Sequence, residues 1–150
     1  KLFLIVAPRL AFFGQKDAQQ VAVVTQMVHD PKVDLQIRVV PIVRDPDGLA
    51  LSSRNARLSP EERARALAIP RALGAGIAAA RGGRDPVEAA RAQLGGLDVD
   101  YVAVADLNGH PTLAIAARAG RTRLIDNILL DDPRTHPTGP ADNQETPHGR

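Results

Sequence analysis

Three short segments carry side chains whose types and spacing suit chemistry on an anion. The first is Phe13-Gly14-Gln15-Lys16-Asp17-Ala18-Gln19-Gln20. A helix start there offers free N–H groups and the positive end of aligned peptide dipoles. Gly14 lets a ligand come close to the backbone, and Lys16 adds a compact charge suited to phosphate. The same residues also read as an ordinary helix start, with Gly14 turning, Asp17 capping, Gln20 closing the box and Lys16 solvated. The second segment is Asp47-Gly48-Leu49-Ala50-Leu51-Ser52-Ser53-Arg54-Asn55. Its two hydroxyls and one guanidinium suit phosphate oxygens, and equally suit a polar loop leading into a helix. The third, Gly120-Arg121-Thr122-Arg123-Leu124-Ile125-Asp126-Asn127, reads as structural: an Arg–Asp pair on a strand, with Asn127 satisfying backbone groups.

Other chemistries find no support. His29, His110, His136 and His148 show no ligand spacing, so no metal is assigned to them. The chain has no cysteine, which excludes a disulfide scaffold, a thiolate metal site and a cysteine nucleophile, and suits a reducing cytoplasm. Neither a Gly-x-Ser-x-Gly elbow nor a Walker loop is present.

These segments need elements to position them. Leu2 to Val6 is a short apolar run that periodicity cannot assign to helix or strand. Ala11-Phe12-Phe13 reads as a short buried strand. A helix is predicted from Asp17 to Val28, with Val21, Val24, Met27 and Val28 on one face, stopped by Asp30-Pro31. Leu35 to Val40 alternates as a second strand, giving a βαβ unit with a parallel sheet. After the turn signal Asp45-Pro46-Asp47-Gly48 the pattern changes. Ser59-Pro60-Glu61-Glu62 opens a helix toward Ala68, Pro70 kinks or restarts it, and Gly82-Gly83 ends it after Arg81. Pro86 to Leu94 is a further short helix. Val99 to Ala105, Thr112 to Ala117 and Arg123 to Leu130 read as an antiparallel meander joined at Asn108-Gly109 and Ala119-Gly120. From Pro133 the chain is polar and reads as a disordered tail.

The composition fits one domain's length of soluble chain. There are 150 residues with 19 Lys+Arg against 17 Asp+Glu, and a net charge of +2 makes no case for a nucleic-acid or membrane partner. No apolar run approaches a membrane span of roughly 20 residues, and no signal peptide is visible.

In order and spacing, the first two segments, Pro41-Ile42-Val43-Arg44 between them, Leu58-Ser59, and the third segment together resemble the pantoate–beta-alanine ligase family over residues 1–130. The resemblance implies an α/β fold: the end of a Rossmann-like nucleotidyl-transferase domain (1–43), a small α+β C-terminal lid domain with an antiparallel sheet (44–132), and the tail (133–150). It implies ligation of pantoate to beta-alanine at the expense of ATP, through a pantoyl-adenylate, with AMP and pyrophosphate released, in a protein that is usually a homodimer. Carried over by motif, Gly14, Gln15, Lys16 and Asp17 lie on ATP, with Lys16 on phosphate and Asp17 toward the ribose. Val43 meets adenine through its backbone, and Gln20 hydrogen-bonds pantoate. Leu51, Ser52, Ser53 and Arg54 form the mobile phosphate loop, and Lys16, Ser52, Ser53 and Arg54 are the catalytic set. Adenylation needs positioning and charge stabilisation rather than a protein nucleophile, and Mg²⁺ is the expected ion.

The sequence departs from the family pattern at Gln15, where Glu is usual, and at Arg9-Leu10, where Asp-Arg is usual. The segment from Asp106 to Thr112 is short. The family's N-terminal half, with its Met-Gly-x-Leu-His-x-Gly-His motif and acidic metal-binding groups, has no counterpart in these residues. The expectation is therefore of a C-terminal portion, inactive or nearly so alone, with one face and edge of its parallel sheet uncovered and with 44–130 as the self-sufficient part. The alternatives are a non-catalytic truncated relic or nucleotide-binding module and, more remotely, an arginine-rich nucleic-acid binder.

Overall fold

The computed structural model describes residues 1–28, 34–107 and 109–131. The predicted stop at Asp30-Pro31, the first residue of the Asn108-Gly109 turn and the tail from Pro133 lie outside them, as do His29, His136 and His148.

The apolar run at the start forms a short helix, α1 (Leu2–Val6), with its side chains largely exposed. β1 (Leu10–Gly14) and β2 (Gln36–Val40) pair in parallel, Leu10 opposite Gln36 and Gly14 opposite Val40, around α2 (Ala18–Val28). This is the expected βαβ unit. β1 is not the buried strand read from its apolar composition: Leu10 and Phe12 are exposed, as are Val39 and Val40 on β2. The sheet has two strands and α2 covers only part of it, with Val21 as its one buried residue. Leu10, Phe12 and Val40 share one face of the pair with Gln36 and Arg38, and that face is exposed among the described residues.

Asp17 does not cap α2. The chain enters the helix through a 3₁₀ turn, Gln15–Asp17, so Asp17 is already inside it. Gly14 takes the cap position, and the turn has no side-chain cap bond.

The second half is built as its turn signals predict. Ser59 starts α3 (Pro60–Ala66) with a complete capping box: Ser59 Oγ accepts from Glu62 N at 3.2 Å, and Ser59 N donates to Glu62 Oε2 at 3.0 Å. Such a cap contributes about 0.5–2 kcal/mol. Leu67 breaks the helix, and α4 (Ala68–Arg81) restarts with Pro70 in its first turn, where a missing N–H leaves no bond unmade. Asp85 caps α5 (Pro86–Arg91), which ends three residues before the predicted Leu94. β3 (Asp98–Leu107), β4 (His110–Ala119) and β5 (Thr122–Leu129) form the antiparallel meander, in the order β3-β4-β5. Gly109 and Gly120 supply the positive φ (82° and 59°) that its two turns need.

The core lies between α3–α5 and one face of this meander. Ile69, Leu73 and Ile77 of α4 recur at helical spacing and pack with Leu113, Ile115, Leu124 and Ile128. Burying each such side chain stabilises the fold by about 1.5–3 kcal/mol.

Candidate nucleotide site

The first candidate segment sits where β1 ends, at the carboxyl end of a parallel strand, the usual ligand position in open α/β sheets. Gly14 has φ −71° and ψ 130°, and a Cβ built there meets no atom within 4 Å. Neither its backbone nor this chain's packing requires glycine. The 3₁₀ turn that follows is held from the other half of the chain. The Asn127 side-chain amide donates to the carbonyls of Gln15 and Lys16, each at 3.0 Å. Asn127 thus satisfies backbone groups as the sequence suggested, and the groups belong to the first candidate segment.

Lys16 reaches the second segment. Its ammonium donates to Ala50 O at 3.2 Å and Leu51 O at 2.9 Å. An ammonium has three donors, so one remains for a ligand. Burial pushes the Lys16 pKa below its ordinary 10.5, against the pull of the Asp126 and Asp17 charges.

The loop that receives Lys16 is folded on itself. Leu51 N donates to Val43 O at 2.9 Å, Asp45 N to Leu49 O at 2.8 Å and Gly48 N to Asp45 O at 2.8 Å. Asn55, buried beneath it, donates to Ala50 O at 3.2 Å and Asp45 Oδ2 at 3.3 Å, while its Oδ1 has no hydrogen-bond partner among the described residues. Ser52 Oγ accepts from Arg54 N at 3.3 Å and caps a 3₁₀ turn, Ser53–Arg57. This folding brings Leu51, Ser52, Ser53 and Arg54 to the same cavity as Lys16 and Asp17, a space of about 290 Å³ closed on its far side by Arg123, Leu124 and Ile125.

The remaining predicted residues lie around it. Gln20 lines a neighbouring cavity of about 270 Å³ together with Lys16, Asp17, Tyr101, Arg123 and Asp126. Gln15 lines a third, of about 410 Å³, with Val21 and Ile37. Its amide approaches Asn127 Oδ1 at 3.5 Å, a contact a glutamate could make only when protonated. Val43 lines none of the three: its side chain is exposed and its carbonyl is committed to Leu51.

Two contributions were not read from the sequence. Arg123 borders both cavities beside Lys16, because alternation along β5 puts Arg123, Ile125 and Asn127 on one face while Leu124 and Ile128 enter the core. That period of two was the available signal. The Arg–Asp pair expected within the third segment does not form. Asp126 is instead gripped by Arg44, at 2.6 Å and 3.1 Å through both guanidinium nitrogens, and Arg123 bonds Asp100. Neighbours on one strand point to opposite faces, so Asp126 faces the 43–51 loop, from which Arg44 arrives. Burial pushes the Asp126 carboxyl above its ordinary 3.8, against Arg44 and the Asn127 N–H.

Among the described residues no three His, Cys, Asp or Glu side chains gather to hold a metal ion. Asp126 is occupied by Arg44, which leaves Asp17 as the carboxylate beside Lys16. That donor set does not make a Mg²⁺ cage. No described helix is long and apolar enough to cross a membrane.

The sequence profile of the pantoate-beta-alanine ligase family matches residues 1–129. The pantothenate synthetase of Rhizorhabdus wittichii is 49% identical over 146 residues, covering 87% of this chain and 52% of that protein. The Mycolicibacterium smegmatis pantothenate synthetase is 51% identical over 142 residues, covering 87% and 45%. The crystal structure of pantothenate synthetase from Thermus thermophilus superposes with a TM-score of 0.80 at 38% identity, over 86% of this chain and 52% of that one. Pantoate-beta-alanine ligase from Francisella tularensis, complexed with beta-gamma ATP and beta-alanine, gives 0.66 at 28% identity, over 91% and 48%. The chain spans about half the length of the relatives it matches. With the fold, the order of its segments and the family profile in agreement, this chain belongs to the pantoate-beta-alanine ligase family.

Proposed function

We propose that the chain supplies the phosphate-handling part of an ATP-dependent ligase that joins pantoate to beta-alanine, giving pantothenate through a pantoyl-adenylate. The observation that carries this reading is the meeting of Lys16, Ser52, Ser53 and Arg54 at one cavity, from segments about 35 residues apart, in a member of this family.

In the first step a pantoate carboxylate oxygen attacks the α-phosphorus of ATP, and pyrophosphate leaves. In the second the beta-alanine amine attacks the acyl carbon, and AMP leaves. Both steps pass through charged transition states for which positioned cations and N–H groups are the appropriate stabilisers. The spare Lys16 donor and the Arg54 fork take phosphate oxygens, and the Ser52 and Ser53 hydroxyls donate beside them. The open space at Gly14 admits the nucleotide against the backbone, with Gln15 and Asp17 beside it. Gln20, one helical turn on from Lys16, reaches pantoate. Val43 meets adenine through its backbone, where the carbonyl that accepts from Leu51 N keeps a second lone pair. Mg²⁺ remains the expected ion, with its ligands in the part of the relatives that this chain does not span, and none of these steps is routed through it. The boundary near Val43 divides the nucleotide-binding part from a lid comprising 44–132.

Because the relatives are about twice as long, we also propose that these 150 residues do not complete the ligation unaided. The test is pantothenate formation and pantoate-dependent pyrophosphate release, for this chain and for a complete relative carrying Lys16→Ala at the matching position. The chain alone is expected to be nearly silent and the variant relative to lose adenylation severely. Full turnover by the chain overturns the first expectation, and undiminished pyrophosphate release by the variant overturns the role of Lys16.

A further inference from the structure

On the far side of Arg54 from Lys16 lies another cavity, of about 580 Å³, lined by Arg54, Arg57, Arg121 and Arg123 with Glu62 and Thr122. Two turns build it. The 3₁₀ turn Ser53–Arg57 carries Arg54 and Arg57, and the β4–β5 turn at Gly120 carries Arg121 into β5. Gly120 suits the turn: its φ is +59°, and a Cβ there would have to displace the Glu62 carboxylate. Arg54, Arg57 and Arg121 have no carboxylate partner among the described residues, while Arg123 is held by Asp100. Glu62, the one acid in the lining, is turned to the Ser59 N–H by the capping box. Four guanidiniums around one concavity, three of them without a carboxylate partner and only Glu62 against them, leave a net positive field that favours an anion. The volume and the number of forks suit an ion with several oxygens on two or more centres rather than a single carboxylate.

We propose that this cavity is a separate oligophosphate subsite, continuous with the Lys16 cavity through Arg54 and Arg123, that takes pyrophosphate. Its connection to the reaction rests on the ligase reading above, in which pyrophosphate departs next to Arg54. Binding of pyrophosphate itself does not rest on that reading.

The test is titration calorimetry of the 150-residue chain with inorganic pyrophosphate and, separately, ATP, at fixed ionic strength. An Arg57→Gln/Arg121→Gln chain is expected to bind pyrophosphate at least tenfold more weakly. An Arg81→Gln/Arg91→Gln chain, which loses the same charge at the ends of α4 and α5, is expected to bind it as the unaltered chain does, and Lys16→Ala is expected to weaken it several-fold less than Arg57→Gln/Arg121→Gln does. Equal loss in both double variants would reduce the effect to net charge and overturn the subsite. Loss in Lys16→Ala as large as in Arg57→Gln/Arg121→Gln would put the ion in the Lys16 cavity and also overturn it, as would no measurable binding to the unaltered chain. ATP binding that ignores Lys16→Ala, with the pyrophosphate pattern intact, counts against the Lys16 reading alone.

Discussion

The side-chain amide of Asn127 donates to the carbonyl of Lys16 across 3.0 Å, joining residues 111 apart in sequence. The same amide takes the Gln15 carbonyl, so the last strand of the chain fixes the turn that aims Lys16. Asn127→Asp removes both donors and sets a carboxylate against two carbonyls. A buried hydrogen bond left unmade costs about 1–3 kcal/mol. We expect urea midpoints to fall by that order, and nucleotide affinity to fall with them. Unchanged stability would mean that the turn is held by its own local bonds.

The Arg44–Asp126 pair ties the 43–51 loop to β5. Asp126 is buried, and breaking such a pair from one side costs about 3–5 kcal/mol. Arg44→Met is expected to destabilise the chain by that order at neutral pH. The loss should shrink as pH falls, because an unpaired buried carboxyl relieves its own cost by taking up a proton. Chemical denaturation at several pH values measures this. A loss that stays constant on acidification would assign the effect to Arg44 packing rather than to its charge.

Lys16 gives a signed pH dependence. Burial holds its folded pKa below 10.5, so between the folded value and 10.5 the unfolded chain binds more protons. Its contribution to stability therefore rises with pH across that window. A bound triphosphate needs the protonated amine and follows the opposite trend. ATP affinity should weaken as pH climbs through the folded Lys16 value, and Lys16→Gln should flatten the profile. If the variant kept the same slope, another group would be titrating.

Gly76 tests the packing of α4 on the meander. A Cβ there would lie 2.2 Å from Leu113 Cδ2 and 3.1 Å from Pro86 O, and Leu113 is fully buried. Gly76→Ala gains about 1 kcal/mol of helix propensity. Overpacking costs about 1–3 kcal/mol or more, so a net loss is expected in thermal unfolding. A stabilised variant would show that α4 shifts freely on the sheet.

The elements were legible because their signals are local. Ser59 with Glu62 fixes the start of α3 within one turn, Gly82 and Gly83 end α4, and the alternation in β4 and β5 is read residue by residue. The candidate site was legible in part. Lys16 and Ser52 to Arg54 stand out as groups suited to phosphate, but each segment by itself reads as an ordinary turn, and only their order and spacing together pointed to one family.

What the sequence could not determine is which distant partners meet. Asp126 was expected to find an arginine on its own strand, yet strand geometry sends adjacent side chains to opposite faces, and Arg44 takes it from across the fold. Asp17 has the form of a cap, but Asn127 pins the carbonyls of the preceding turn, and the helix begins earlier. β1 has the composition of a buried strand, and whether it is covered depends on neighbours that no local pattern encodes. Local propensity and periodicity determined the elements, their ends and the chemistry available. The pairings of Lys16 with Leu51, Asn127 with Lys16 and Arg44 with Asp126 were decided only by the tertiary fold, because each closes a loop of 35 residues or more whose ends carry no record of one another.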